Sequence, residues 1–167
     1  MQLSAAQCRH YLTQADAILG GLNDEHRALL PKPGAKTAGW LVGHLCVTGD
    51  FGRRLCGREP MCPREWRALF NPGSQPSTRA EDYPPMATLC EALRSVYNDL
   101  ATAALAAPPE ALAKENPYEP VRGAFPTTRD FVAYLLSVHL AYHLGQLSTW
   151  RAAAGMTPMH RPDAPVE

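Results

Sequence analysis

Apolar residues recur along this chain at spacings of three and four, the pattern of helices that each bury one face. Positions 8, 11, 12, 15, 18, 19 and 22 make the first such series, and Ser4 followed by Gln7 has the form of a capping box at its start. Gly20-Gly21 loosens its end. A second stripe, Leu41, His44, Leu45, Thr48, Phe51 and Leu55, predicts a helix from Thr37 to about Cys56. Residues 57–85 then break the pattern with repeated prolines and hold at most one short helix, Arg64 to Phe70. A connection this long in a compact domain is often functional: it can cover a cleft mouth or meander over the surface. A third helix starts near Pro85, buries Met86, Leu89, Leu93, Val96, Leu100 and Ala103 or Ala104, and closes at Pro108-Pro109. After a second irregular link, Thr127 or Thr128 caps a fourth helix, Asp130 suits its positive dipole end, and Gly155 stops it. Its inward stripe is Val132, Leu135, Leu136, His139, His143, Gln146 or Leu147, and Trp150. No segment alternates with the two-residue period of a strand, and no internal repeat is visible. Four amphipathic helices with one apolar seam each predict an all-α four-helix bundle with long irregular connections, a single domain over residues 1–167.

The second helix is rich in glycine, with Gly39, Gly43, Gly49 and Gly52. Each costs up to about 1 kcal/mol against alanine in a helix interior. Two readings stand side by side: close helix packing, or room beside His44 for a ligand.

Charge narrows the function classes. Lys plus Arg (16) balances Asp plus Glu (16), and no dense basic run exists, whereas nucleic-acid binding needs clustered excess positive charge. Nucleic acid is not expected as a partner. The N-terminal segment lacks the unbroken apolar run of a signal peptide, and no stretch approaches the ~20 apolar residues of a membrane span. Five cysteines without a C-x-x-C pair fit a soluble, reducing, cytoplasmic setting. Arg53-Arg54, Arg58, Arg64 and Arg67 form a basic cluster around the long connection, read either as a solvated face or as a contact for an anionic cofactor.

The chemistry lies in the histidines. His139 and His143 are four apart, so on a helix their imidazoles leave one face with Cβ atoms roughly 6 Å apart. Both nitrogens can then reach one divalent ion at about 2.0–2.1 Å. His44, 95 positions upstream of His139, lies on another core-facing stripe. A lone core histidine is ordinarily a hydrogen-bonded core residue, and a single i,i+4 pair is common. Three together are different, because burying them without a shared ion leaves several ring nitrogens needing partners. His10, His26 and His160 fall on less apolar faces, in a linker or in the tail. Leu140 follows His139, so the glutamate base of an H-E-x-x-H protease helix is missing.

The segments GWLVGHL, with His44, and HLAYHLGQLSTWR, with His139, His143 and Gln146, together with their separation, resemble the DinB-like metalloprotein superfamily. The resemblance spans nearly the whole chain. It implies a four-helix bundle with an unusual helix order, a three-histidine site for zinc, nickel or another divalent ion, and frequent homodimers. It also implies thiol-dependent S-transferase or isomerase activity on a small electrophilic molecule, with a low-molecular-weight thiol such as bacillithiol, mycothiol or glutathione. On this expectation His44, His139 and His143 are the metal ligands, and Gln146 orients a ligand or water. Trp40 and Trp150 line an apolar pocket or simply pack in the bundle. Asp50 either accepts a histidine N–H or sits in an exposed or capping position. Two alternatives stay open: a metal-dependent hydrolase, which needs a general base near the open position, and a non-enzymatic metal- or ligand-binding bundle, whose structural ion would call for a fourth protein ligand.

Overall fold

The computed structural model describes residues 1–156. Helices α1 (Gln2–Leu19), α2 (Ala38–Leu55), α3 (Trp66–Phe70), α4 (Met86–Ala106), α5 (Pro109–Leu112), α6 (Thr128–Tyr134) and α7 (Leu140–Ala153) follow in order. A π-helical turn, Leu135–His139, joins α6 to α7 in one continuous rod. Among the described residues there is no strand, only an isolated bridge between Glu115 and Thr127. The chain is all-α, and its four long rods are compatible with the expected four-helix bundle. Helix α2 packs most extensively on α4 and also touches α6 and α7, while α1 packs on α4 and α7. One continuous apolar core runs among them.

Three expectations change. Helix α1 begins at Gln2 with Met1 as its cap, so Ser4 lies inside the first turn and makes no capping box. Ala5 is fully buried and its N–H bonds the Met1 carbonyl, which carries the helix upstream of Ser4. Helix α2 has no single seam: among its residues only Arg54 is exposed, because helices and the long connection enclose it on nearly every side. The connection itself is no surface meander, for Cys62, Trp66, Phe70 and Tyr83 are all buried.

Burial on all sides explains the glycines of α2. A Cβ on Gly43 would lie 2.5 Å from three atoms of the Phe70 ring, and one on Gly49 would lie 2.6 Å from Val96 and 2.9 Å from Tyr97 of α4. Close packing is therefore the correct reading. The helix cost of these glycines is offset by apolar surface that a methyl group would hold apart.

Local chemistry sets the rotation of the rods that carry the histidines. The buried Thr37 hydroxyl accepts from the Trp40 N–H at 3.1 Å and shares a 3.0 Å hydrogen bond with the Tyr83 hydroxyl, tying the start of α2 to the connection. Losing such a cap typically costs about 1 kcal/mol. At the other rod, Thr127, one of the two expected caps, forms a reciprocal capping box with Asp130. Its far end is pinned by Arg151, which donates to the carbonyls of Ile18 and Gly20 at 3.1 and 2.6 Å. Gly155 terminates the rod with φ +72°, a conformation that glycine adopts at no steric cost. No described helix is long and apolar enough to cross a membrane.

Candidate metal centre

Tertiary folding brings His44 of α2 to His139 at the end of the π turn and His143 of α7. The ring centroids are 5.3 Å apart for His44 and His139, 4.7 Å for His44 and His143, and 4.5 Å for His139 and His143. One ring nitrogen from each lies within 4.8 Å of the others, so the three could hold one metal ion. No cysteine or carboxylate among the described residues joins them. All three are buried, at 4%, 8% and 8% exposure.

Two of the rings are oriented by neighbours. His44 Nδ1 lies 2.7 Å from the Phe70 carbonyl and His143 Nδ1 lies 2.7 Å from Gln146 Oε1. A carbonyl oxygen only accepts, so each Nδ1 carries the proton and each Nε2 keeps its lone pair. This is how metal-binding histidines are commonly held. The third ring differs: His139 Nδ1 is buried with no hydrogen-bond partner among the described residues. Leaving such a nitrogen unpaired costs about 1–3 kcal/mol. The surrounding protein thus completes two rings and leaves the third open.

The electrostatics keep the cluster neutral. Burial, then the nearby His143 and His44, pushes His139 down to about 3. Burial, then His44, pushes His143 down to about 4 against the opposing hydrogen bond it donates to Gln146. Burial also holds His44 below its ordinary value despite the Phe70 carbonyl. Uncharged imidazoles at neutral pH are the protonation state that metal ligation requires.

The walls of the site come from several places. Trp40 is a buried core residue; it stacks on His44 at 4.7 Å and 7°, its indole N–H held by Ser74 Oγ at 2.8 Å. Tyr134 meets the His139 ring edge-on at 5.6 Å. Tyr134 is five residues before His139, the neighbour relation of a π turn rather than of an α-helix, and single π turns recur at functional sites. Trp150 donates its indole N–H to the Leu29 carbonyl and lines an open cavity of about 690 Å³ with Gln146, Lys32 and Lys36. A second cavity, about 350 Å³, runs from Thr48 and Phe51 of α2 to Phe131 and Leu135 across from them. No histidine lines either cavity, and neither does Trp40.

Asp50 is neither exposed nor a cap, and no histidine among the described residues partners it. It is buried, and its Oδ1 accepts from Arg53 Nη1 at 2.6 Å and from the Met61 N–H at 2.8 Å. Arg53 is buried with it and donates Nε to Asp99 at 2.7 Å, so this member of the basic cluster is structural. All five cysteines are free and buried, including Cys56 and Cys62, which lie outside the predicted stripes. Cys46 points its thiol at the Leu89 carbonyl and takes no part in the cluster. His10 is exposed, His26 closes a capping box on Asn23, and His160 lies outside the described residues. Sequence patterning carried no sign of the π turn, since its stripe reads as regular α-helix. The Phe70 carbonyl was equally hidden, because backbone acceptors have no sequence signature; the proline-rich connection was the only pointer to it.

A family model of the DinB superfamily matches residues 7–147, a span that includes all three histidines. No curated protein and no solved structure matches the chain.

Proposed function

The chain belongs to the DinB superfamily, and on that premise we propose that it is a divalent-metal-dependent enzyme that transfers a low-molecular-weight thiol to a small electrophilic molecule, or isomerises such a molecule through the thiol. His44, His139 and His143 are the proposed ligands, with zinc or nickel as the ion. The carrying observation is the buried convergence of three neutral imidazoles with no fourth protein ligand beside them among the described residues. The unpartnered His139 Nδ1 supports it, since a cluster built only for packing has no reason to leave a buried nitrogen unsatisfied.

Three neutral ligands would leave a divalent ion's charge uncompensated, and the chemistry this supplies is a lowered pKa for a thiol beside it. The chain's residues do the rest. Phe70 and Gln146 hold two rings in the tautomer that presents Nε2. Trp40 and Tyr134 pack their rings against His44 and His139. In the transfer, the sulfur pair forms the new C–S bond, the leaving group departs with its own bonding pair, and the thiol proton passes to solvent. In the isomerisation, the thiol adds to an activated double bond and is expelled after rotation.

The hydrolase reading needs a carboxylate or other base near the ion, and the buried Asp50 is committed to Arg53 and Met61 instead. A purely structural ion is usually closed by four protein ligands, and Cys46 faces elsewhere. Five unoxidised cysteines are in keeping with a cytoplasmic protein.

The test is to purify the chain without an affinity tag, load it with zinc or nickel, and offer glutathione and other thiols with an electrophile such as a haloarene. Mass spectrometry should find an S-conjugate that disappears in His143→Ala. A metal-loaded protein that yields no conjugate with any thiol removes the proposal.

A further inference from the structure

The cavity of about 350 Å³ between α2 and α6 is built on the same elements as the histidine cluster. Thr48, on its wall, is one turn beyond His44 and donates its hydroxyl to the His44 carbonyl at 2.7 Å. Leu135, also on its wall, opens the π turn that ends at His139. Asn71 on the wall is the residue after Phe70, whose carbonyl holds His44. The elements that line this cavity are therefore the ones that carry the imidazoles, about one helical turn away along each.

Its lining is divided. The apolar part is aromatic: Phe131 meets Phe51 edge-on at 6.1 Å and stacks with Tyr118 at 5.7 Å. The polar part carries Arg54 and Arg67 beside Asn71. Asp50 also borders the cavity, but Arg53 neutralises it. Among the described residues, the guanidinium groups of Arg54 and Arg67 take part in no hydrogen bond or ion pair, unlike Arg53 and Arg58 of the same cluster. Arg54 is the exposed residue of an otherwise enclosed helix, and it borders this cavity. Arginine forks match planar oxyanions in two-point contact. The larger cavity is the weaker candidate, because Lys36 there is already spent on the Ser74 carbonyl and the Trp40 ring.

We infer that this cavity binds the electrophilic substrate, a compact organic anion whose aromatic or other unsaturated body rests on Phe51, Phe131 and Tyr118 while its carboxylate or phosphate is held by Arg54 and Arg67. A volume near the lower end of the usual range for small-molecule sites suits a single-ring compound. The inference rests on the proposed thiol-transfer reading for the word substrate, and on the cavity alone for the anion.

Binding can be read without catalysis. ¹⁵N-labelled protein, metal-free and zinc-loaded, is titrated with trans-cinnamate, with styrylphosphonate and with the neutral cinnamamide. One or both anions should bind at least about tenfold more tightly than the amide, as charge-assisted hydrogen bonds require, with amide shifts at Thr48, Asn71 and Tyr118. The stronger of the two anions identifies carboxylate or phosphate as the recognised group. Arg54→Gln and Arg67→Gln, with folding checked by circular dichroism, should each weaken the anion by about tenfold and leave the amide unchanged. Anions that bind no better than the amide, anion affinity indifferent to both arginines, or shifts confined to the Lys32 and Lys36 cavity would each overturn the inference. Anion binding without any thiol conjugate would instead remove only the reaction, and conjugation without anion preference only this subsite.

Discussion

Helix α2 carries two buried polar groupings six residues apart, and the protein finishes them differently. Around Asp50 and Arg53 every strong group is answered: Asp50 by Arg53 and the Met61 N–H, Arg53 by Asp50, Asp99 and the Glu59 carbonyl. Around His44 the rings are oriented from outside, but His139 Nδ1 has no partner among the described residues and three lone pairs converge on common ground. Both groupings draw on the same connection, Met61 and Glu59 for one and Phe70 for the other. A buried network that closes on itself serves the fold. One that is oriented yet left incomplete is arranged to receive something.

The largest effect should separate the two by occupancy. His139→Ala should reduce zinc from about one per chain to background in elemental analysis, a loss exceeding the 10–100-fold typical of an outer-sphere change. Retention of zinc by that variant would break the comparison. Arg53→Ala should do the reverse, leaving zinc content unchanged while lowering stability by about 3–5 kcal/mol in urea denaturation, since it strands the buried Asp50 charge. If Arg53→Ala instead costs nothing, the closed network is not structural.

Smaller effects sharpen the contrast within the histidine cluster. Gln146→Leu should weaken zinc binding by about 10–100-fold in competition with a chromophoric chelator, because His143 loses the acceptor that fixes its tautomer. Gln146→Glu, which keeps an acceptor, should retain most of the affinity. Acid should act on the metal-free protein through the same rings. Histidines in the unfolded chain titrate near 6.5, whereas His139 and His143 are held at about 3 and about 4 in the fold. Between those values the unfolded chain binds more protons, so stability is fully present above pH ~6.5 and falls as the pH drops toward the folded values. Each ring contributes at most about 1.4 kcal/mol per pH unit. Urea midpoints in the presence of a chelator should trace this slope, and midpoints that stay level from neutral pH to pH ~4.5 would contradict it.

Sequence periodicity was sufficient for the four rods, because an amphipathic stripe is a local property and each rod was long enough to show one. It also singled out His44, His139, His143 and Gln146, since each falls on such a stripe. It failed where burial has no period. Helix α2 is enclosed on nearly all sides, so its glycines were ambiguous and neither role open to Asp50, histidine acceptor or exposed or capping residue, was the one it takes. The opening of α1 was misplaced for a related reason: a Ser-x-x-Gln pattern can also lie inside a helix that the buried Ala5 extends upstream.

Residue type and spacing by themselves determined which side chains were available: helical rods, two imidazoles on one face, a third on another, no net charge. Whether those imidazoles met depended on contacts between residues far apart in the chain. The Phe70 ring seated against Gly43, the Thr37 and Tyr83 hydroxyl pair, and the Arg151 anchor on α1 set the rotation of the rods. A π turn then set the phase of the last one. Helical periodicity is written in neighbouring residues. The relative rotation of two helices is decided by packing across the core, where no single segment carries the information.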